Sequence, residues 1–380
     1  MKVIFIGSDR NIFNESSAVS ARMVDYGELF EELHIIVFTK QNSKFHNLQL
    51  AKNVWVYPTL SWCRWMYPFD ASKIAKSITH NNGSDFVISA QDPFEAGLSA
   101  KRATEKTGAK LHIQIHTDFL SPFFKKQSLL NRLRLLISRK VLPNADGIRV
   151  VSERIKNSLL SDQNYKLKVS LVVLPIYVER KNYEKATPFD FRHDHPDWNF
   201  VIFSAGRLEK EKNFALAIKT LKIVCQKYPK VGLVIAGKGT GKTKLSTLTE
   251  MHGLSKNVSI ISAEDKDIPG FYKGVDIYLQ TSNFEGFGMA VTEAAYAGTP
   301  VVMTDVGVAG WLLKDGDNAE ICPIGDAKCL ASAITHLIED NGLRERLRGV
   351  LFGGFGKELP QSREEYLQKF KESIENCLKN

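Results

Sequence analysis

The chain has 380 residues, more than one hydrophobic core usually serves, so two domains of under ~200 residues each are expected. Its 43% hydrophobic content is that of a globular protein, and no segment is repetitive or biased enough to read as disordered. The net charge of +9 favours an anionic partner without choosing between nucleotide, phospholipid and nucleic acid. The five cysteines, at 63, 225, 322, 329 and 377, are scattered and form no Cys-x-x-Cys pair, which predicts reduced thiols in a cytosolic setting. The run Val3 to Ile6 is too short for a signal peptide, and no run approaches the ~20 apolar residues of a spanning helix. A soluble protein, or one attached peripherally to a membrane, is expected.

Short apolar runs alternate with helical stretches from end to end, the pattern of parallel sheets with crossover helices. The predicted strands are 2–6, 34–38, 54–57, 85–89, 111–115, 147–151 and 170–174, then 200–204, 231–236, 257–262, 276–280 and 300–303. Residues 179–199, rich in charge, aromatics and proline without periodicity, read as a linker between a first domain, 1–178, and a second, 200–361. Ser362 to Leu378 is an unbroken helical pattern in the tail 362–380.

Three strand ends in the second half carry chemistry. After strand 200–204 and Gly206, Arg207 and Lys212 stand five apart across a turn, where a planar fork and a point charge converge on a pyrophosphate. The turn Ala236 to Thr243, with Gly237, Gly239, Gly241 and Lys242, satisfies a relaxed phosphate-loop pattern, with Ala236 at the first glycine position. An NTPase would also need a magnesium-binding aspartate, which Ser259 to Asp265 supplies. In the third, Glu285 and Glu293 bracket the turn Gly286, Phe287, Gly288, Met289 that opens a helix, which Gly298 and Pro300 stop. Glycines let backbone approach a ligand, and the helix start favours a diphosphate. Eight helical residues would rise ~12 Å, so the two carboxylates would address opposite ends of an extended ligand and accept hydrogen bonds from sugar hydroxyls. The segment reads as a nucleotide-sugar clamp; the plain alternative is a surface turn with two solvated acids.

This pattern resembles the retaining glycosyltransferases of the GT-B fold, family 4, the group 1 class. The resemblance implies an α/β protein of two Rossmann-like, doubly wound domains facing across a cleft, with the C-terminal helix crossing back to the N-terminal domain. It assigns Glu285 to the transferred sugar, Glu293 to the ribose, and Arg207 with Lys212 to the diphosphate as it departs. Gly206, Gly237, Gly239, Gly286, Phe287, Gly288 and Met289 would complete the donor site. It also sets His116, at the end of strand 111–115, beside the sugar; from the residues alone a structural histidine fits equally. Asp118 is a further candidate for acceptor contact or proton removal. Asp146 and Ser152 would line the acceptor cleft, unless Ser152 only caps a helix. Gly7 and Ser8 would touch the acceptor, although Gly7 to Asn11 holds one glycine where the family usually has a glycine-rich loop. His193, His195 and Asp197, like Asp265 and Asp267, imitate metal ligands without a supporting frame, so neither metal nor cofactor is expected.

Residues 123–141 hold Lys125, Lys126, Arg132, Arg134, Arg139 and Lys140 and no acid, with Leu129, Leu130, Leu133, Leu136 and Ile137 at helical spacing. The segment reads equally as a core-facing helix with a solvated basic face, or as one lying on anionic lipid, with Trp62, Trp65, Met66 and Tyr67 near Arg64 as an anchor; in either case the leucines are expected to cover the sheet, leaving mainly Phe123, Phe124 and the basic residues for lipid. The expected protein is therefore a metal-independent glycosyltransferase of hexosyl type, on the cytoplasmic side, with a nucleotide sugar as donor and a glycan or lipid-linked acceptor, and no nucleic acid as partner. The alternatives are a phosphate-loop NTPase using 236–243 and a non-catalytic nucleotide-sugar-binding protein; an epimerase of similar fold would use other acids.

Overall fold

The structure, a computed structural model, describes residues 1–80, 83–262 and 267–379. The chain divides into two compact units, Met1–Pro175 with Gln361–Asn380, and Ile176–Pro360. In the first, β1 (Lys2–Gly7), β2 (Glu32–Val37), β3 (Leu48–Ala51), β4 (Val54–Pro58), β5 (Phe86–Ala90), β6 (Lys110–Ile115), β7 (Gly147–Val150) and β8 (Leu171–Val173) form one sheet. Their order is β3-β4-β2-β1-β5-β6-β7-β8, parallel throughout except that β3 runs antiparallel to β4. Val3, Ile4 and Ile6 of β1 are wholly buried, as expected for a parallel strand covered on both faces.

The second unit repeats the plan with β9 (Phe200–Ala205), β10 (Val231–Ala236), β11 (Val258–Ile261), β12 (Ile277–Gln280), β13 (Val301–Thr304) and β14 (Glu320–Cys322). These strands are all parallel, in the order β11-β10-β9-β12-β13-β14. The strand order reverses between β1 and β5 in one unit and between β9 and β12 in the other. In such sheets ligands bind outside the carboxyl ends at the reversal. Gly7 and Asp92 follow the first pair, Arg207 and Glu285 the second.

Every predicted strand is present within two residues of its expected ends. Two edge strands, β3 and β14, were not predicted; each has four residues or fewer and lacks a sustained apolar run.

Residues 179–199 are not a linker: they fold into the second unit, as the helices Arg180–Glu184 and Phe191–Asp194 and the aromatics around them. Phe189 and Phe191 each lie about 5 Å, ring to ring, from Phe271. Trp198 covers Gly232, where a Cβ would stand 2.0 Å from the indole, and its Nε1 donates to the Lys256 carbonyl at 2.9 Å. Aromatic burial outweighs the missing periodicity. The expectation of five free thiols also fails: Cys322 at the end of β14 is bonded to Cys329 in the first turn of the helix Ala327–Glu339, with Cα atoms 5.8 Å apart. The turn between them folds the chain back on itself, and the thiol argument for a cytosolic setting falls with it.

The C-terminal helix Arg363–Glu375 belongs to the first unit, with Phe370 stacked on Tyr26 at 4.6 Å. The basic segment forms two helices, Pro122–Gln127 and Leu129–Val141. The second one inverts the expected orientation. It buries Asn131, Ser138 and Val141, while Leu129 (77% exposed), Leu133 and Leu136 face outwards beside Arg132, Arg139 and Lys140. Asn131 turns inward because its Nδ2 donates to the Phe124 carbonyl at 2.9 Å, and Ser138 because its hydroxyl bonds that of Tyr165 at 2.7 Å. Phe124 is itself buried, stacked on Phe94. Among the described residues no helix is long and apolar enough to cross a membrane.

Candidate active site

In the second unit two loops at the strand reversal are laced together. The Asn283 amide donates to the Glu211 carbonyl at 2.8 Å, and the Thr281 hydroxyl to the carbonyls of Lys212 and Asn213 at 3.1 Å. This registry sets Lys212 Nζ 2.5 Å from Glu285 Oε1, which also accepts from the Ser282 hydroxyl at 2.7 Å. Both side chains are largely enclosed, at 18% and 13% exposure. Beneath them lies Gly307, where a Cβ would come 2.3 Å from the Phe287 carbonyl and 3.1 Å from Glu285 Cβ, so no larger residue fits. Arg207 does not join Lys212. Its guanidinium, 76% exposed, bonds Glu211 at 3.1 Å, so different carboxylates hold the two cations.

Glu293 lies on the helix Met289–Tyr296 and its Oε2 accepts from the Tyr272 hydroxyl at 2.9 Å. Tyr272 is wholly buried; burial, then the adjacent carboxylate, holds its phenol well above the ordinary value, so it stays a donor. The helix begins at Met289, so residues 285–288 are turn, and the ~12 Å helical separation expected of the two glutamates does not apply. Gly288 starts the helix in the left-handed region at φ 107°, and its carbonyl accepts from Thr292. Gly286 and Phe287 are buried, Phe287 with its ring edge-on to Trp311, whereas Met289 is exposed.

The glycine run after β10 has a structural cause. A Cβ on Gly237 would meet the Gly206 carbonyl at 1.9 Å, and one on Gly241 the Leu208 carbonyl at 2.5 Å. Gly239 abuts Leu208 as well, with a Cβ 2.9 Å from its nitrogen. The amides of Gly237 and Gly241 are taken by the carbonyls of Ile261 and Leu208. A phosphate cradle needs such amides turned to the ligand; here the Gly237 amide is spent on the end of β11 and the Gly241 amide holds the loop against the turn that carries Arg207.

In the first unit His116 follows β6. Its Nε2 is buried and, among the described residues, has no hydrogen-bond partner. Burial, then the positive charges of Arg149 and Arg22, pushes this imidazole down to about 3, and burial with Arg149 does the same to His112, which bonds Ser89. Burial raises the Asp118 carboxyl, against the pull of Arg154. Asp92, which sequence reasoning missed, is pushed up to about 6 by burial and by Glu95, and accepts from the amides of Phe94 and Ala96. A carboxyl just after a strand was the available signal. A Cβ on Gly7 would stand 3.0 Å from Gln91 Cγ, and Ser8 is exposed. Asp146 accepts from the Leu111 amide at 2.7 Å, and Ser152 caps the helix Glu153–Ser161, so both have structural roles. Of the metal lookalikes, His195 stacks on Trp198, and Asp265 lies outside the described residues.

The histidines make a pH prediction. Unfolded imidazoles titrate near ~6.5, so from there down to about 3 the unfolded chain binds more protons at His112 and His116 than the folded one. Stability therefore falls as pH drops through that window; His34, lowered by burial, adds to the fall, while Asp92, raised to about 6, and Asp118, also raised by burial, oppose it without the span of the two deeply lowered histidines. The thermal midpoint should be lower at pH 5 than at pH 7, and the difference smaller in His116→Gln. An unchanged difference in that variant would mean that His116 is solvated.

Residues 186–349 match the family described as Glycosyl transferases group 1, and residues 31–180 the one described as Glycosyltransferase Family 4. The chain is 34% identical over 162 residues to the lipopolysaccharide core biosynthesis glycosyltransferase LpsE of Rhizobium meliloti, 42% of this chain and 46% of that protein. It is 29% identical over 148 residues to a phosphatidyl-myo-inositol mannosyltransferase of Mycobacterium leprae, 38% of this chain and 39% of that one. The chain thus spans under half the length of these relatives. Two solved structures share the fold: Anabaena HepE, in complex with UDP and glucose, at TM-score 0.75 and 18% identity, covering 99% of both chains; and sucrose-phosphate synthase of Thermosynechococcus elongatus, at TM-score 0.75 and 16% identity, covering 100% of both. Two doubly wound units, the acid and lysine brought together at a strand reversal, and these matches in both halves lead to one conclusion: the chain belongs to the group 1, family 4 glycosyltransferases of the GT-B fold.

Proposed function

We propose that the protein is a retaining, metal-independent glycosyltransferase that moves a hexose from a nucleoside diphosphate sugar to a hydroxyl of a glycan or lipid-linked acceptor. The observation that carries the reading is the enclosed Lys212–Glu285 pair at the β9/β12 reversal, with Glu293 on the helix that follows. An ammonium has three donors, so Lys212 can keep Glu285 and still donate to a diphosphate, while the exposed guanidinium of Arg207 would exchange its bond to Glu211 for the same group. Glu285 then accepts from sugar hydroxyls and Glu293 from the ribose. The acceptor hydroxyl attacks the anomeric carbon on the face the diphosphate leaves. The bond from that carbon to the phosphate oxygen breaks as the new glycosidic bond forms, and the acceptor proton passes to the departing phosphate. Arg207 and Lys212 offset the charge that develops there, the work a metal would otherwise do.

The outward leucines and basic residues of the helix Leu129–Val141 support a role for anionic lipid in presenting the acceptor, each lysine or arginine contributing ~1 kcal/mol near such a surface. The function is tested by thermal shift with UDP, UDP-sugars and ATP, followed by transfer assays on any stabilising donor and NMR of the product anomer. UDP or a UDP-sugar should raise the midpoint, because a ligand of the folded state alone stabilises it. Lys242→Ala should keep most transfer; ATP hydrolysis that disappears in this variant would move the reading to a phosphate-loop NTPase.

A further inference from the structure

The first unit has a cleft outside the ends of β2 and β4, whose lining does not include His116 or Asp118. It is a cleft of about 400 Å³ whose lining includes Gln41, Leu60, Trp62, Met66, Asp70 and Lys73, within the ~300–1,000 Å³ range of small-ligand sites. Its wall is built rigidly. Leu60 is held at φ 48°, in the left-handed region that a leucine avoids. Its amide donates to the Thr39 hydroxyl oxygen at 2.9 Å, the Ser61 amide to the Thr39 carbonyl at 2.9 Å, and the Gln41 amide to the Ser61 carbonyl at 2.9 Å. The indole of Trp62 stands on this wall 83% exposed. Among the described residues, the side chains of Gln41, Asp70 and Lys73 make no hydrogen bond or ion pair.

We propose that this cleft is a subsite for a neutral hexose unit of the acceptor glycan, with Trp62 as its stacking platform. A pyranose is amphipathic: one face offers a patch of C–H groups to the indole, and its rim offers hydroxyls. Asp70 accepts from those hydroxyls, Lys73 donates to them, and Gln41 does both. One acid and one base leave the lining without net charge, which suits a neutral sugar better than a sugar acid. A lipid surface fits less well, because Asp70, half-buried in the cleft with Trp62, would be repelled by anionic headgroups and would lose its water. The buried ring of Tyr67, expected beside the tryptophans as part of a lipid anchor, stacks on Phe38 and is no part of an interface. The role as acceptor subsite rests on the glycosyltransferase reading; the affinity for sugar does not.

The test is titration of the full chain with α- and β-linked trisaccharides of glucose, galactose and mannose, read by tryptophan fluorescence and saturation-transfer NMR. At least one series should bind saturably. Trp62→Ala should weaken that binding tenfold or more and Asp70→Asn about tenfold, whereas Trp65→Ala, outside the cleft, should stay within twofold. Since Trp62 is exposed, its removal leaves the core intact, which an unchanged melting curve verifies. No saturable binding by the wild type, or equal binding by Trp62→Ala, overturns the proposal. So does loss of anionic-vesicle binding in both Trp62→Ala and Trp65→Ala with no sugar titrating, which would make the patch a lipid anchor. Parallel thermal shifts with UDP, GDP, ADP and dTDP separate the failures: nucleoside diphosphate binding without sugar binding removes the subsite alone, and no binding of any of them removes the glycosyltransferase reading as well.

Discussion

Glu285→Ala should lower sugar transfer by roughly a thousandfold, the ~4 kcal/mol scale of a group that acts on charge and position in the transition state, while affinity for the nucleoside diphosphate stays within about threefold. The expectation follows from what the carboxylate touches. Its Oε1 takes hydrogen bonds from Lys212 and Ser282. The other oxygen is the one left to face the sugar, and the phosphates are assigned to cations. The fold itself should suffer less, by about 1–3 kcal/mol, as a charge-assisted hydrogen bond is lost and Lys212 is freed. Glu285→Gln separates charge from shape: if the carboxylate acts by its charge, glutamine is as poor as alanine. Lys212→Ala completes a double-mutant cycle. Nucleoside diphosphate affinity that falls in step with turnover in Glu285→Ala would sink the assignment, since the glutamate would then serve the phosphates through Lys212.

The parts of this site that the sequence announced share one property: they depend on neighbours along the chain. Strand-turn-helix at 276–303 is written in apolar runs and glycines, and the placement of Glu285 and Glu293 around the helix start follows from it. What could not be read depends on pairing across the sheet. Tyr272 lies 21 residues from Glu293 and looks like any apolar helix residue until the fold sets its hydroxyl on the carboxylate. Lys212 and Glu285 are 73 residues apart and meet because β9 and β12 are neighbours. The glycine run 237–241 resembled a phosphate loop because close approach to a backbone and close approach to a phosphate select the same residue. The helix Leu129–Val141 misled for a related reason. A leucine stripe ordinarily marks the buried face, but Asn131 and Ser138 find buried partners and turn the leucines outward. Composition also misjudged residues 179–199, whose proline and charge suggested a linker while Phe189, Phe191 and Trp198 supplied enough aromatic surface to fold them.

Arg149→Met should cost about 3 kcal/mol of stability and loosen the C-terminal helix more than the second unit. The guanidinium is 2% exposed and, among the described residues, makes no ion pair. Instead it donates to the carbonyls of Leu174 at 3.0 Å and Pro175 at 3.2 Å, to Gln114 Oε1 at 2.9 Å and to the Tyr366 hydroxyl at 3.2 Å. It also lies over the rings of Tyr366 and Phe370, at 5.7 and 5.2 Å. One side chain thus fastens the last residues before the chain leaves the first unit and the helix with which it returns. Methionine fills much of the volume but strands the buried acceptors, each worth ~1–3 kcal/mol, and the sum is reduced because a buried charge is no longer desolvated. Tyr366→Phe, which removes only a hydroxyl, should cost about 1 kcal/mol. Urea denaturation gives the totals. Hydrogen exchange locates them: protection should drop across 363–375 while β9 and β10 stay near wild type. If Arg149→Met unfolds within 1 kcal/mol of the parent, the cost of burying the cation cancels its bonds, and ring packing from Tyr26, Phe5 and Phe370 would be what holds the helix.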